Sequence, residues 1–167
     1  MIQVYTGNGK GKTTAALGLA LRAAGAGLRV YFGQFLKKGG YSEIAGLKKL
    51  SRVTVVQFGT GAFIRSKPGE KEIAAARKGL AAARTAATGG KFDVIILDEF
   101  NVALRLGLFN CKDAMELIRR IPDTVELILT GRDAQKTVLK CADLVSEITE
   151  VKHYYRTGKK ARKGIEF

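Results

Sequence analysis

The stretch TGNGKGKTT, Thr6 to Thr14, constrains this chain more than any other. It follows a short apolar run, IQVYT (2–6), and leads into an Ala- and Leu-rich segment from Lys12. A strand, a Gly-rich turn and a helix opening at Lys-Thr together make the arrangement of a phosphate-binding loop, G-x-x-x-x-G-K-[ST]. Gly9 and Gly11 permit close approach and unusual φ angles, so successive backbone N–H groups can point at phosphate oxygens. The helix start near Lys12 adds its positive dipole end. Lys12 contributes a point charge, and the Thr13 hydroxyl can reach a Mg²⁺ ion. One position departs from the pattern: Thr6 stands where the first glycine belongs, and Gly7 is displaced by one.

A loop of this kind needs a strand behind it, and the rest of the chain repeats that unit. Apolar runs at 2–6, 29–35, 53–58, 93–100, 125–130 and 144–149 alternate with helical stretches at 12–25, 70–88, 112–120 and about 133–141. Continuous rather than alternating apolar runs mark strands covered on both faces. The expected fold is therefore α/β, a three-layer RecA-like P-loop NTPase fold with a mainly parallel sheet of about six strands. Two loops, 36–43 and 59–70, follow strands and carry Gly, a basic residue and an aromatic. In open parallel sheets ligands bind at the carboxyl ends of the strands, where both loops should lie.

Composition narrows the class. With 167 residues, 46% hydrophobic and 26% charged, the chain fits one nucleotide-binding domain over 1–167. Its longest apolar runs are too short to span a bilayer, so no membrane partner is expected. The opening has some likeness to a signal peptide, but Arg22 interrupts the apolar run and a strand-like segment precedes the lysines, which favours a cytoplasmic protein. Cys111 and Cys141 show no metal or redox spacing and read as buried thiols. Twenty-nine Lys and Arg against 15 acids give a net charge of +14, which attracts polyanions without saying which.

The fourth run ends in acids. FDVIILDEF places Asp98 and Glu99 at a strand end, where a metal on bound phosphates needs carboxylates. Paired with the loop, this points to Mg-nucleotide binding.

A phosphate loop does not name a reaction. The combination of YTGNGKGKTTAALGLALRAAGAG, VIILDEFNVAL, ELILTGRDA and ADLVSEITEVKHYYRTGKKARKGIEF resembles the ATP:cob(I)alamin (corrinoid) adenosyltransferases, from about Ile2 to Phe167. The resemblance implies attack by Co(I) of a reduced corrinoid on C5′ of ATP, with release of the whole triphosphate, in adenosylcobalamin synthesis or salvage. It implies ATP as co-substrate, Mg²⁺, a homodimer, and a flavodoxin-like electron donor. By position, Gly7, Asn8, Gly9, Lys10, Gly11, Lys12, Thr13 and Thr14 would wrap the triphosphate, with Lys12 as its main cation. Thr13 and Glu99 would hold Mg²⁺, with Asp98 beside or behind them. Arg22 and Arg132 match family arginines that contact nucleotide, although Arg22 lies roughly 15 Å along the helix from Lys12. Phe63 and Ile64 fall where family aromatics face the corrinoid, and this chain has no Trp. Family members often carry a further segment before the first strand, whereas here strand-like sequence begins at Ile2. Both departures concern the corrinoid end of the site.

Two other readings compete. A RecA-like ATPase could bind nucleic acid through its charge and the tail KHYYRTGKKARKG, where Tyr154 and Tyr155 interleave with bases. A regulatory module would bind MgATP and do nothing else. The lone histidine, His153, reads as structural.

Overall fold

The computed structural model of the protein describes residues 1–64 and 67–167. Arg65 and Ser66, inside the second of the two loops expected near the site, lie outside the described residues. Six strands form one sheet: β1 (Ile2–Thr6), β2 (Val30–Phe35), β3 (Val53–Phe58), β4 (Val94–Asp98), β5 (Glu126–Thr130) and β6 (Leu144–Glu147). Their order is β3-β2-β4-β5-β1-β6, and every pairing is parallel. All six carboxyl ends consequently emerge on one edge. Strand β5 lies between β1, which feeds the phosphate loop, and β4, which ends in Asp98.

Side-chain alternation divides the core into two layers. Val30, Phe32, Val94, Ile96 and Ile128 meet α1 (Lys12–Gly25) through Ala16, Ala20 and Ala23, spaced so that small residues share one helical face. On the opposite face Ile95, Leu97, Leu127 and Leu129 pack with α3 (Glu70–Thr88), α4 (Phe100–Arg105) and α5 (Cys111–Arg119). Phe35 anchors that layer, with its ring 5.9, 5.9 and 5.7 Å from those of Phe58, Phe100 and Phe109. Helices α2 (Ser42–Leu47) and α6 (Lys136–Leu139) complete the three layers of a RecA-like P-loop fold.

Several boundaries differ from expectation. The run 93–100 stops being a strand at Asp98, because Glu99 adopts a left-handed conformation (φ 59°) and Phe100 opens α4. The loop 36–43 ends in α2. The helix expected over 133–141 shrinks to one turn, since Asp133 also has positive φ. Cys111 is only partly buried, with its Sγ 3.3 Å from Thr137 Oγ1, and Cys141 is exposed on the turn into the edge strand β6, where little covers it. No helix among the described residues is long and apolar enough to cross a membrane.

Candidate nucleotide site

The phosphate loop is held from outside by the chain that follows β6. The Gly9 N–H donates to Ile148 O at 2.7 Å. A Cβ on Gly7 would strike Ile148 O, and one on Gly9 would come within 2.8 Å of the same oxygen. Only glycine lets the two backbones approach so closely. Gly7 and Gly11 have φ of 93° and 125°, conformations that side-chain-bearing residues resist. Asn8 fastens the outer rim by accepting from the Glu150 N–H at 3.3 Å.

Within this cradle the basic residues divide. Lys12 is buried and donates to the Gly9 carbonyl at 2.6 Å, so its ammonium is folded back over its own loop. Burial, followed by the charge of Arg132, holds its pKa below the usual lysine value, while Glu99 and Asp98 oppose the shift. An anion entering the loop would relieve that deficit. Lys10 is exposed and turns outward, donating to Tyr154 Oη and Glu166 Oε1 at 3.1 Å each. Thr14 is exposed in the first turn of α1.

Thr13 joins the loop to β4. Its hydroxyl donates to Asp98 Oδ1 at 2.9 Å, which leaves the oxygen lone pairs to offer elsewhere. Asp98 is fully buried and well satisfied: Thr130 Oγ1 donates to Oδ1 at 2.6 Å and Gln34 Nε2 to Oδ2 at 3.0 Å. Gln57 in turn donates to Gln34 Oε1 at 2.8 Å. Glu99, partly buried, lacks such support. Burial and the adjacent Asp98 push its carboxyl above the ordinary range, against the charges of Lys37, Lys12 and Arg132. A hydroxyl with free lone pairs beside an under-neutralised carboxylate is the donor set a hard divalent cation takes, so the residues fit Mg²⁺.

The structure thus brings together Gly7 to Thr13, Asp98 and Glu99. Arg132 is exposed, and its charge is felt by both Lys12 and Glu99. Arg22 is not at this edge: it lines a groove with Gln3, Asp93 and Glu126, at the amino-terminal ends of the strands. Phe63 and Ile64 part company. The Phe63 side chain is 86% exposed, whereas Ile64 packs against the core beside Leu36 and Phe58.

Gln34, Lys37 and Thr130 escaped the sequence reading. Gln34 carried a signal, being the one strongly polar side chain in the otherwise apolar β2. Lys37 Nζ stands 3.7 Å from Asp98 Oδ2 and 3.8 Å from Glu99 Oε1. Thr130 also accepts from the Glu99 N–H at 3.1 Å, bracing both acids.

The basic tail is not free. Tyr154 bonds to Glu166, and its ring lies beneath Lys10 at 5.7 Å and Arg162 at 5.0 Å. Ser42 Oγ donates to Phe167 O at 2.9 Å, which ties the end of the chain to α2. His153 caps the short turn Tyr154–Thr157, accepting from the Tyr155 N–H at Nδ1, in keeping with a structural role.

The model of the family described as ATP:corrinoid adenosyltransferase BtuR/CobO/CobP matches residues 1–167. The chain is 32% identical over 169 residues to a corrinoid adenosyltransferase of Pseudomonas aeruginosa, covering 100% of this chain and 83% of that protein. It is 33% identical over 167 residues to a corrinoid adenosyltransferase of Escherichia coli, covering 100% and 85%. It is 32% identical over 167 residues to corrinoid adenosyltransferase CobA of Salmonella typhimurium, again covering 100% and 85%. None of these likenesses is to a nucleic-acid-binding ATPase.

Proposed function

The chain belongs to the ATP:corrinoid adenosyltransferase family, and from that premise we propose that it moves the 5′-deoxyadenosyl group of ATP to Co(I) of a reduced corrinoid, releasing triphosphate. The observation that carries the reading is the 2.9 Å bond from Thr13 to Asp98, which joins the phosphate loop to a strand-end acid pair.

Co(I) is itself a strong nucleophile, so the reaction asks the protein for no general base. The cobalt lone pair forms the Co–C bond as the C5′–O bond breaks, and that electron pair departs on the triphosphate. Cobalt ends as alkyl-Co(III). The protein must hold the two reactants in line and stabilise charge gathering on the leaving group. The loop amides, the α1 dipole and Lys12 serve the second task, with Lys12 exchanging Gly9 O for a phosphate oxygen. Mg²⁺, held by Thr13 and Glu99, would add positive charge to the departing triphosphate. Asp98 acts through Thr13, orienting its hydroxyl. Arg132 lends charge at the rim, and Phe63 is exposed and free to meet a corrinoid.

The same reading makes 1–167 a single nucleotide-binding domain, cytoplasmic and homodimeric. A flavodoxin-like donor would supply the electron that reduces Co(II) of the corrinoid to Co(I), and net charge +14 suits such an acidic protein.

The test is anaerobic: chemically reduced cobalamin and MgATP are mixed with the protein, the visible spectrum is followed, and triphosphate is assayed after illumination. A photolabile alkylcobalamin with one triphosphate per turnover is expected. No spectral change, with orthophosphate release that rises on adding polynucleotide, would overturn the reading.

A further inference from the structure

Immediately after β2 the chain makes an unusual turn. Leu36 has φ 64°, and the Lys37 N–H donates to Phe35 O at 2.7 Å, a three-residue turn with a positive-φ centre that is rare for a residue bearing a side chain. Such strain persists where the surroundings over-determine it and gathers at functional sites. Here two clamps hold it. The Gly59 N–H donates to Lys37 O at 3.1 Å, and a Cβ on Gly59 would strike the Leu36 carbonyl group and come within 2.5 Å of Lys37 O. The Gly39 N–H donates to Gln57 Oε1 at 3.3 Å, and Gln57 leads through Gln34 to Asp98.

What this turn delivers is Lys37. Its ammonium lies 3.7 Å from Asp98 Oδ2, 3.8 Å from Glu99 Oε1 and 5.5 Å from the centre of the Tyr41 ring. The side chain is 24% exposed, so its charge is only partly relieved by water.

The geometry points to Lys37 as an exchangeable cation of the reaction site, neutralising the Asp98–Glu99 pair when the site is empty and pairing with an oxygen of the triphosphate when metal and nucleotide are bound. The inference rests on the reading that this site takes a metal triphosphate. Its logic is charge balance. A divalent cation at Thr13 and Glu99 brings two positive charges to carboxylates that already have one. Lys37 then faces like charge, and the nearest anionic acceptors are phosphate oxygens on the adjoining loop. The exchange makes metal binding conditional on nucleotide.

Two binding measurements on Lys37→Met should therefore move in opposite directions. Mn²⁺ alone, followed through the signal of the free ion, should bind at least about fivefold tighter than to the parent protein, the effect of removing one unit charge about 4 Å away even under the full screening of bulk water. MgATP, followed by titration calorimetry, should bind about tenfold more weakly, because a charge-assisted contact to phosphate is lost. Lys37→Arg should recover much of the MgATP affinity. Melting temperatures verify folding, and Lys37→Gln gives the same reading if the methionine variant is unstable. A merely structural lysine would weaken both ligands or neither, and either result overturns the inference. Neither measurement uses a corrinoid, so parent protein that binds MgATP but transfers no adenosyl group removes the proposed function and leaves this test standing. Parent protein that binds no MgATP overturns both.

Discussion

At the scale of single residues, the site holds two carboxylates in contrasting states. Asp98 receives two hydroxyls and an amide and is fully satisfied, whereas Glu99 is partly buried with its carboxyl held above the ordinary value of 4.5, by burial first and by Asp98 second. Because the folded state holds that proton more tightly than the unfolded one, unfolding releases it in the window above 4.5, and stability falls as pH rises through the window. Above it the penalty is complete. Glu99→Gln should therefore be more stable than the parent at pH 7, by about 1 kcal/mol, and the gain should close as pH falls towards about 4. Urea denaturation at both pH values measures the difference. A glutamine variant less stable at pH 7 would mean that Lys37, Lys12 and Arg132 already over-compensate the buried charge. Under the proposed function, adenosyl transfer by the variant should drop by about a hundredfold, since the same carboxylate would hold the metal. Lys12, Thr13, Asp98 and Glu99 were legible in the sequence because each occupies a fixed place in a contiguous motif. Thr130, Gln34 and Lys37 were not: their partner Asp98 is 61 to 64 residues away for the two β2-side residues and 32 for Thr130, and only the sheet brings them together.

At the scale of elements, all six strands could be read from apolar runs: β2 and β4, buried on both faces, have no polar side to confuse their period, whereas β6 is exposed along its length and was legible only through its apolar and β-branched residues. What escaped were the places where one residue in a left-handed conformation ends an element. The positive φ values of Leu36, Glu99 and Asp133 convert strand ends and a helix start into turns, and nothing in Leu or Glu announces that. Glycines inside helices carry the opposite lesson. Gly18 in α1 has open space around it, whereas a Cβ on Gly79 in α3 would lie 2.7 Å from Phe58 Cγ and 2.8 Å from Phe35 Cε1. Alanine gains about 1 kcal/mol of helix propensity at either position. At Gly79 overpacking costs about 1–3 kcal/mol, and Phe35 cannot yield because Phe100 and Phe109 hold its other sides. Gly18→Ala should raise the melting temperature by about 2–4 °C, and Gly79→Ala should lower it by a similar amount. Calorimetry of the two variants side by side decides the matter, and a stabilised Gly79→Ala would show that the Phe35–Phe58 contact has room to relax.

At the scale of the whole molecule, charge is the dominant fact: 29 basic residues face 15 acids, so 14 cations are left over even if every acid is paired. The sequence made this excess plain but not its placement. The structure fastens part of it beside the phosphate loop, where Lys10, Arg162 and Glu166 surround Tyr154, and leaves Arg156 paired with Glu150 at the start of the same tail. The ion pairs of Arg105, Arg120, Arg156 and Arg162 are at least half exposed on the basic side, so each of these contributes little and is easily screened. Repulsion among unpaired cations is screened too. Raising NaCl from about 20 to 300 mM shortens the screening length from roughly 20 Å to about 6 Å. Repulsion acts over the larger distances and should lose more than the close pairs, so the ligand-free protein should melt at a higher temperature in high salt. Affinity for MgATP should move the other way and weaken several-fold, because the field drawing a polyanion to the loop is screened by the same ions. Thermal melts and MgATP titrations across one salt series test both halves. A melting temperature that falls with salt would mean that the tail's ion pairs outweigh the self-repulsion of the +14 surface, and would make the fastening of residues 150–167 to the phosphate loop a main source of stability rather than a local contact.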